Sequence, residues 1–137
     1  MSDPKQTIIT MKVDVKNLNE NNVEKHVHFS DDHGARQNGS PKNFTSIVKK
    51  NQKIIWKGSV GETDVESDKV EITKITRKKI DGGEKLLKST KFEDGTVVGK
   101  IKDEDLTGIE NYEVHFSING NGYVVDPKLE IKTPDQI

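Results

Sequence analysis

Twenty-six of the 137 residues are isoleucine or valine, against five leucines and a single alanine, Ala35. That ratio constrains the fold more than any motif in the chain does. β-branched side chains are stiff about χ1 and pack well on a pleated surface, whereas alanine and leucine are what helices favour. Ile, Val, Leu and Phe together number 35, above the level of disordered sequences and enough for a thin core. A chain of this kind is predicted to be almost wholly β.

Alternation locates the strands. Ile9, Met11, Val13 and Val15 alternate with Thr10, Lys12 and Asp14, the period of two that turns one face of a strand inward. Over 23–29, Val23, Lys25, Val27 and Phe29 point one way and Glu24, His26 and His28 the other, and 30–43 reads as a long surface loop with two glycines and a proline. The apolar runs 44–48 and 52–57 flank "KKNQ" and fit a hairpin or a bent strand pair, with Trp56, the only tryptophan, expected in the core. Residues 58–68 read as an acidic loop and 69–76 as a strand with Val70 and Ile72 on one face.

Further along, "DGG" at 81–83 suits a tight turn with positive φ. Leu86 and Leu87 open a strand or a helical turn, and 105–108 has room for one short helical turn. The clearest strand sets Tyr112, Val114, Phe116 and Ile118 against Glu113, His115 and Ser117. "NGNG" then turns the chain into "YVVDPKLEIK", an antiparallel partner interrupted at Pro127. With no helix-length periodic segment and no repeat, the reading is an all-β, antiparallel two-sheet β-sandwich of about seven to nine strands. Its domain spans 7–132, between an N-terminal tail, 1–6, and a C-terminal tail, 133–137.

Charge and composition then exclude function classes. Lys and Arg number 22 against 23 Asp and Glu, so the whole chain exerts no general pull on nucleic acid or an anionic membrane. The window 72–91 is locally basic, seven Lys and Arg against Asp81 and Glu84, but it holds no aromatic residue on which a base could stack and reads as a solvated hairpin. The absence of cysteine excludes disulfides, thiolate metal sites and a Cys nucleophile. The opening "MSDPKQTIITMKVDV" is unlike a signal peptide and no 18 apolar residues follow one another, so the protein is expected to be soluble and cytoplasmic.

The stretch "EKHVHFSDDHGARQNGSPKNF", 24–44, holds three of the four histidines. Side chains at i and i+2 of a strand lie about 7 Å apart on one face, and two imidazoles leaning together can share a metal at about 2.0–2.1 Å. His33, Asp31, Asp32 or His115 would complete the ligand set. "HVH" before an acidic loop is similar to the copper-ligand strand of copper/zinc superoxide dismutases, yet the further histidines that family needs are missing, His115 being the only one after His33. Blue copper needs a thiolate, and a cupin-like site needs a glutamate where Phe29 to Asp32 stand. His26 and His28 are therefore read as solvated strand residues, with a copper or zinc site on the pair as the alternative. The serines lie in loops without a nucleophile elbow, and no glycine-rich phosphate loop is present; no catalytic residue, metal ligand or cofactor is assigned.

Two stretches, "NGSPKNFTSIVKKNQKIIWKGSV" at 38–60 and "NYEVHFSINGNGYVVDPKLEIK" at 111–132, resemble the bacterial inclusion-body proteins of the AidA and PixA type. In that family a "G-x-x-I-x-W" segment precedes a strand pair closing on "DP", which places Ile54, Trp56, Asp126 and Pro127 in the pattern and Asn51 where glycine is usual. The resemblance implies a small cytoplasmic β-sandwich that accumulates or associates, with no chemistry and no site residues to carry over. The expected function is accordingly that of a non-enzymatic interaction or structural protein, self-associating or bound to another protein, with no nucleic-acid or membrane partner and an unknown small ligand.

Overall fold

In the computed structural model, which describes residues 6–18, 21, 23–37, 39–60, 70–78, 83–93 and 95–132, ten strands follow one another: β1 (Gln6–Val13), β2 (Val27–Asp31), β3 (Thr45–Ile47), β4 (Lys53–Val60), β5 (Val70–Arg77), β6 (Leu87–Glu93), β7 (Thr96–Ile101), β8 (Gly108–Ile118), β9 (Asn121–Val125) and β10 (Lys128–Ile131). They build the two sheets of a sandwich. The first has the order β2-β1-β4-β7-β6, and the second the order β3-β10-β8-β5, with β9 also on β8. The helical elements among the described residues are three single 3₁₀ turns, Val15–Asn17, Val23–Lys25 and Pro41–Asn43.

Alternation reports faces faithfully. On β8 Tyr112, Val114, Phe116 and Ile118 are all buried, and on β1 Ile9, Met11 and Val13 are. The Asn119–Gly120 turn, with φ of 49° and 92° and Ile118 opposite Asn121, is the two-residue connection that matches the twist of its strands. β9 and β10 share one register along β8, Val125 facing Val114 and Lys128 facing Asn111. They are one return strand broken at Asp126–Pro127, where proline has no amide to give the ladder; this break takes the count to ten.

Direction and neighbourhood depart from the simplest antiparallel pattern. Six of the eight pairings are antiparallel, but β1 runs parallel to β4 and β10 parallel to β3. The runs 44–48 and 52–57 make no hairpin: β3 joins β10 in one sheet and β4 joins β1 in the other. Asn51 sits in the crossing with φ 63°, a left-handed conformation that Asn adopts more readily than other residues with a side chain do. Nor is 72–91 a hairpin, since β5 and β6 belong to different sheets. Val23–Lys25 is a 3₁₀ turn, and the ladder of β2 to β1 ends at Val27 opposite Val13. Gln6 opens β1, and 103–107 is irregular without a helical turn. The tails 1–5 and 133–137, residues 61–68 of the acidic loop, Lys69 at the expected start of the next strand and the turn positions Asp81 and Gly82 lie outside the described residues.

The core binds the sheets to each other. Trp56 of β4 is fully buried and its Nε1–H donates to the Tyr112 hydroxyl of β8 at 3.0 Å, the rings meeting edge to face at 5.6 Å. Burial pushes that hydroxyl well above its ordinary range, so it stays neutral. A Cβ on Gly99 of β7 would come within 2.7 Å of the Trp56 ring, so the indole can lie there only because position 99 has no side chain. Phe29 and Phe44 stack at 5.5 Å, and each such aromatic pair adds about 0.5–1.5 kcal/mol beyond the area it buries.

Candidate functional site

The histidine-bearing stretch folds as a clasp on the first sheet. His28 stands exposed on β2, while His26, just before the strand, places Nδ1 at 3.4 Å from the Asp14 carboxylate. His33 Nε2 lies 3.0 Å from Thr7 Oγ1 and 3.4 Å from Asp32 Oδ1. His115 is on the second sheet, with Nε2 3.0 Å from Thr76 Oγ1. Among the described residues no three His, Cys, Asp or Glu side chains come together as a metal site. The acids the sequence offers as further ligands are bound to backbone. Asp31 Oδ1 accepts from the amides of His33 and Ala35, both at 2.9 Å, and Asp32 Oδ1 accepts from the Ile8 amide at 3.0 Å.

The clasp closes an edge. A terminal strand presents amides and carbonyls that another chain can pair with, and natural sheets cover or interrupt them. On β2 the covering residue is Gln37. Its amide donates to the Phe29 carbonyl at 3.0 Å, its Oε1 accepts from the Phe29 amide at 3.1 Å, and its Nε2 donates to the carbonyls of Val27 at 2.8 Å and Gly39 at 2.9 Å. The Asp31 amide donates to the Ala35 carbonyl at 3.0 Å. One side chain thus stands in for a neighbouring strand.

In the second sheet the edge strands β3 and β5 are interrupted, whereas β9, which pairs β8 alone, keeps an outer side with no backbone partner among the described residues. β3 is only three residues long. β5 carries a bulge between Ile72 and Lys74, and its Ile72 amide donates to the Gly95 carbonyl at 2.9 Å.

β6 is different. Two residues connect it to β7 with Glu93 opposite Thr96, so that pair must exchange the innermost hydrogen bonds of the hairpin. The antiparallel alternation then points the amides and carbonyls of Thr90 and Phe92 away from β7. No described residue outside β7 bonds them. All residues from Lys88 to Glu93 are exposed. Phe92 lies opposite the buried Val97, on the face that turns towards the core, yet its side chain is 45% exposed. Lys91 Nζ rests 3.7 Å from Glu93 Oε1 on the opposite face.

Two hollows are lined by described residues. One of about 570 Å³ has an apolar lining of Ile47, Val48, Leu106 and Ile131, and the Lys50–Asp105 ion pair, 2.8 Å long, stands at its rim. The other, about 160 Å³, lies beneath β6 and reaches Arg77, Lys88 and Glu110. Glu110 is 1% exposed and its Oε1 accepts from the amides of Leu86 and Leu87, both at 2.7 Å. Burial raises its carboxyl above the ordinary 4.5, while the two amides pull the other way. Sequence reasoning missed this residue although the signal was present: Glu110 has the same parity as Tyr112 and Val114, so one more pair at the start of β8 puts a carboxylate on the inner face.

Residues 5–124 match the family described as a domain of unknown function, DUF8788. No curated protein matches the chain. Among solved structures, an inclusion body protein of the PixA type from Burkholderia cenocepacia J2315 superposes with a TM-score of 0.69 at 10% sequence identity, over 96% of this chain and 97% of that chain. The likeness is one of fold, and in the fold it bears out the resemblance carried by 38–60 and 111–132. No helix among the described residues is long and apolar enough to cross a membrane.

Proposed function

The chain belongs to the family of the domain of unknown function DUF8788, and from its fold and its sheet edges we propose a non-enzymatic structural protein of the cytoplasm that works by associating with itself. One observation carries this reading. Among the described residues two strands keep an outer side with outward backbone groups and no cover, β9 at Gly122 and Val124 and β6 at Thr90 and Phe92, and of these β6 is the one whose outward run carries an aromatic side chain, Phe92, 45% exposed. Strand addition to such an edge draws its affinity from main-chain hydrogen bonds and its selectivity from alternate side chains. Lys88 and Lys91 keep the edge soluble and oppose runaway pairing, which makes the association reversible. The shared fold with an inclusion body protein supports the same reading.

Sedimentation velocity of the untagged protein across a wide concentration range tests it. The weight-average mass is expected to rise above the 15.4 kDa of one chain as concentration increases. A single species of that mass at every concentration overturns the proposal.

A further inference from the structure

The open edge has a self-complementary register. We infer that its partner is a second copy of the same strand, paired antiparallel about a two-fold axis through Lys91, so that Thr90 of each copy faces Phe92 of the other. This rests on the self-association proposed above and adds its geometry.

Backbone geometry selects the register. Outward residues must face outward residues for an antiparallel pair to exchange hydrogen bonds, and the regular part of β6 offers Thr90 and Phe92. Setting Thr90 against Phe92 joins both residues of both copies in four bonds. Setting Thr90 against itself would leave Phe92 facing Lys88, inside the bulge between Leu87 and Ser89. Setting Phe92 against itself would carry Thr90 past Glu93, the end of the strand.

Side chains agree with that choice. On the inward face each Phe92 ring gains the other copy's Thr90, a pairing of aromatic and β-branched residues that sheets favour. On the outward face the two Lys91 side chains meet at the axis and Ser89 faces Glu93. Each Lys91 already lies 3.7 Å from its own Glu93 and becomes a diagonal neighbour of the other copy's, so the four charges sum to zero. Two lysines directly opposite still repel, which keeps the pairing weak.

The resulting sheet runs β2-β1-β4-β7-β6 and then the same order reversed, ten strands in all. Both of its ends are β2 edges already closed by Gln37. Pairing therefore stops at two copies along this sheet.

The chain has no cysteine, so one introduced thiol reports the register. A non-hydrogen-bonded antiparallel pair holds its Cα atoms about 4.5 Å apart, within disulfide reach. Under mild oxidation Lys91→Cys is expected to crosslink into dimers, while Thr90→Cys and Ser89→Cys, which face other residue types, stay largely uncrosslinked. Phe92→Pro removes an outward amide without touching the ladder to β7 and is expected to raise the dissociation constant at least about tenfold. Lys91→Thr removes the repulsion at the axis and is expected to tighten the dimer. Circular dichroism checks that Phe92→Pro is folded; if it is not, the contrast between Lys91→Cys and Thr90→Cys decides. Association that persists in Phe92→Pro with no preference for crosslinking at position 91 overturns this geometry and leaves self-association standing. A wild-type chain that is monomeric at every concentration overturns both.

Discussion

β2 and β6 are the two edges of one sheet, each antiparallel to an interior strand, and they meet solvent in opposite ways. After β2 the chain turns back at once, and Gln37, eight residues beyond Phe29, satisfies the outward groups of the strand. Before β6 the chain comes out of the interior: Leu86 is fully buried, its carbonyl accepts from the Lys102 amide and the Glu84 amide donates to the Ile109 carbonyl. Those bonds tie Glu84 and Leu86 to β8 and to the chain after β7, away from the open side of β6. An edge is closed when its own flanking chain is free to cover it, and local polar residues decide that freedom.

The contrast can be broken at several points. The largest effect is expected where both edges share a foundation: Phe116→Ala, 1% exposed on β8, should cost about 3–5 kcal/mol in urea unfolding, and a loss below about 1 kcal/mol would mean that the inner face of β8 has been misread. Glu110→Ala strips the acceptor from two buried amides beneath β6 and should cost about 2–4 kcal/mol. Glu110→Gln keeps that acceptor and tests the charge. Because burial raises the folded carboxyl above 4.5, the folded state holds its proton to higher pH than the unfolded chain does. Wild-type stability should therefore fall as pH rises from 4.5 through the folded value and then level off. Glu110→Gln should lack that slope, and an unchanged slope would assign it to other groups.

Gln37→Ala converts the closed edge into an open one. It should cost about 1–3 kcal/mol and let the protein assemble beyond two copies, read as species larger than a dimer in sedimentation. Phe92→Ala acts on the edge that is already open, so unfolding free energy should change by less than about 1 kcal/mol while association weakens. A large loss of stability instead would place the ring in the core rather than at an interface.

Much of the fold was legible before any coordinate. The alternations of 9–13 and 112–118 named the buried faces, the Asn119–Gly120 turn and the break at Pro127 stood where their residue types put them, and Trp56 went to the core. The partners were not legible. Alternation says which way a side chain points and is silent on which strand lies alongside, so the parallel β1–β4 pairing and the split of β3 from β4 were hidden. The histidines drew attention that belonged to Gln37, because ligand types in a cluster are visible in one dimension and a side chain imitating a strand is not. Glu110 was within reach through its parity and was passed over because carboxylates are rarely found inside.

Residue order was sufficient for the all-β character, the inward faces and the tight turns, since each depends on side-chain branching, burial or φ within a few neighbouring positions. Whether a strand ends up last in its sheet depends on every other strand's place. Only assembly of the two sheets left Thr90 and Phe92 with outward backbone groups and no cover among the described residues, while β2 was sealed by the chain that follows it.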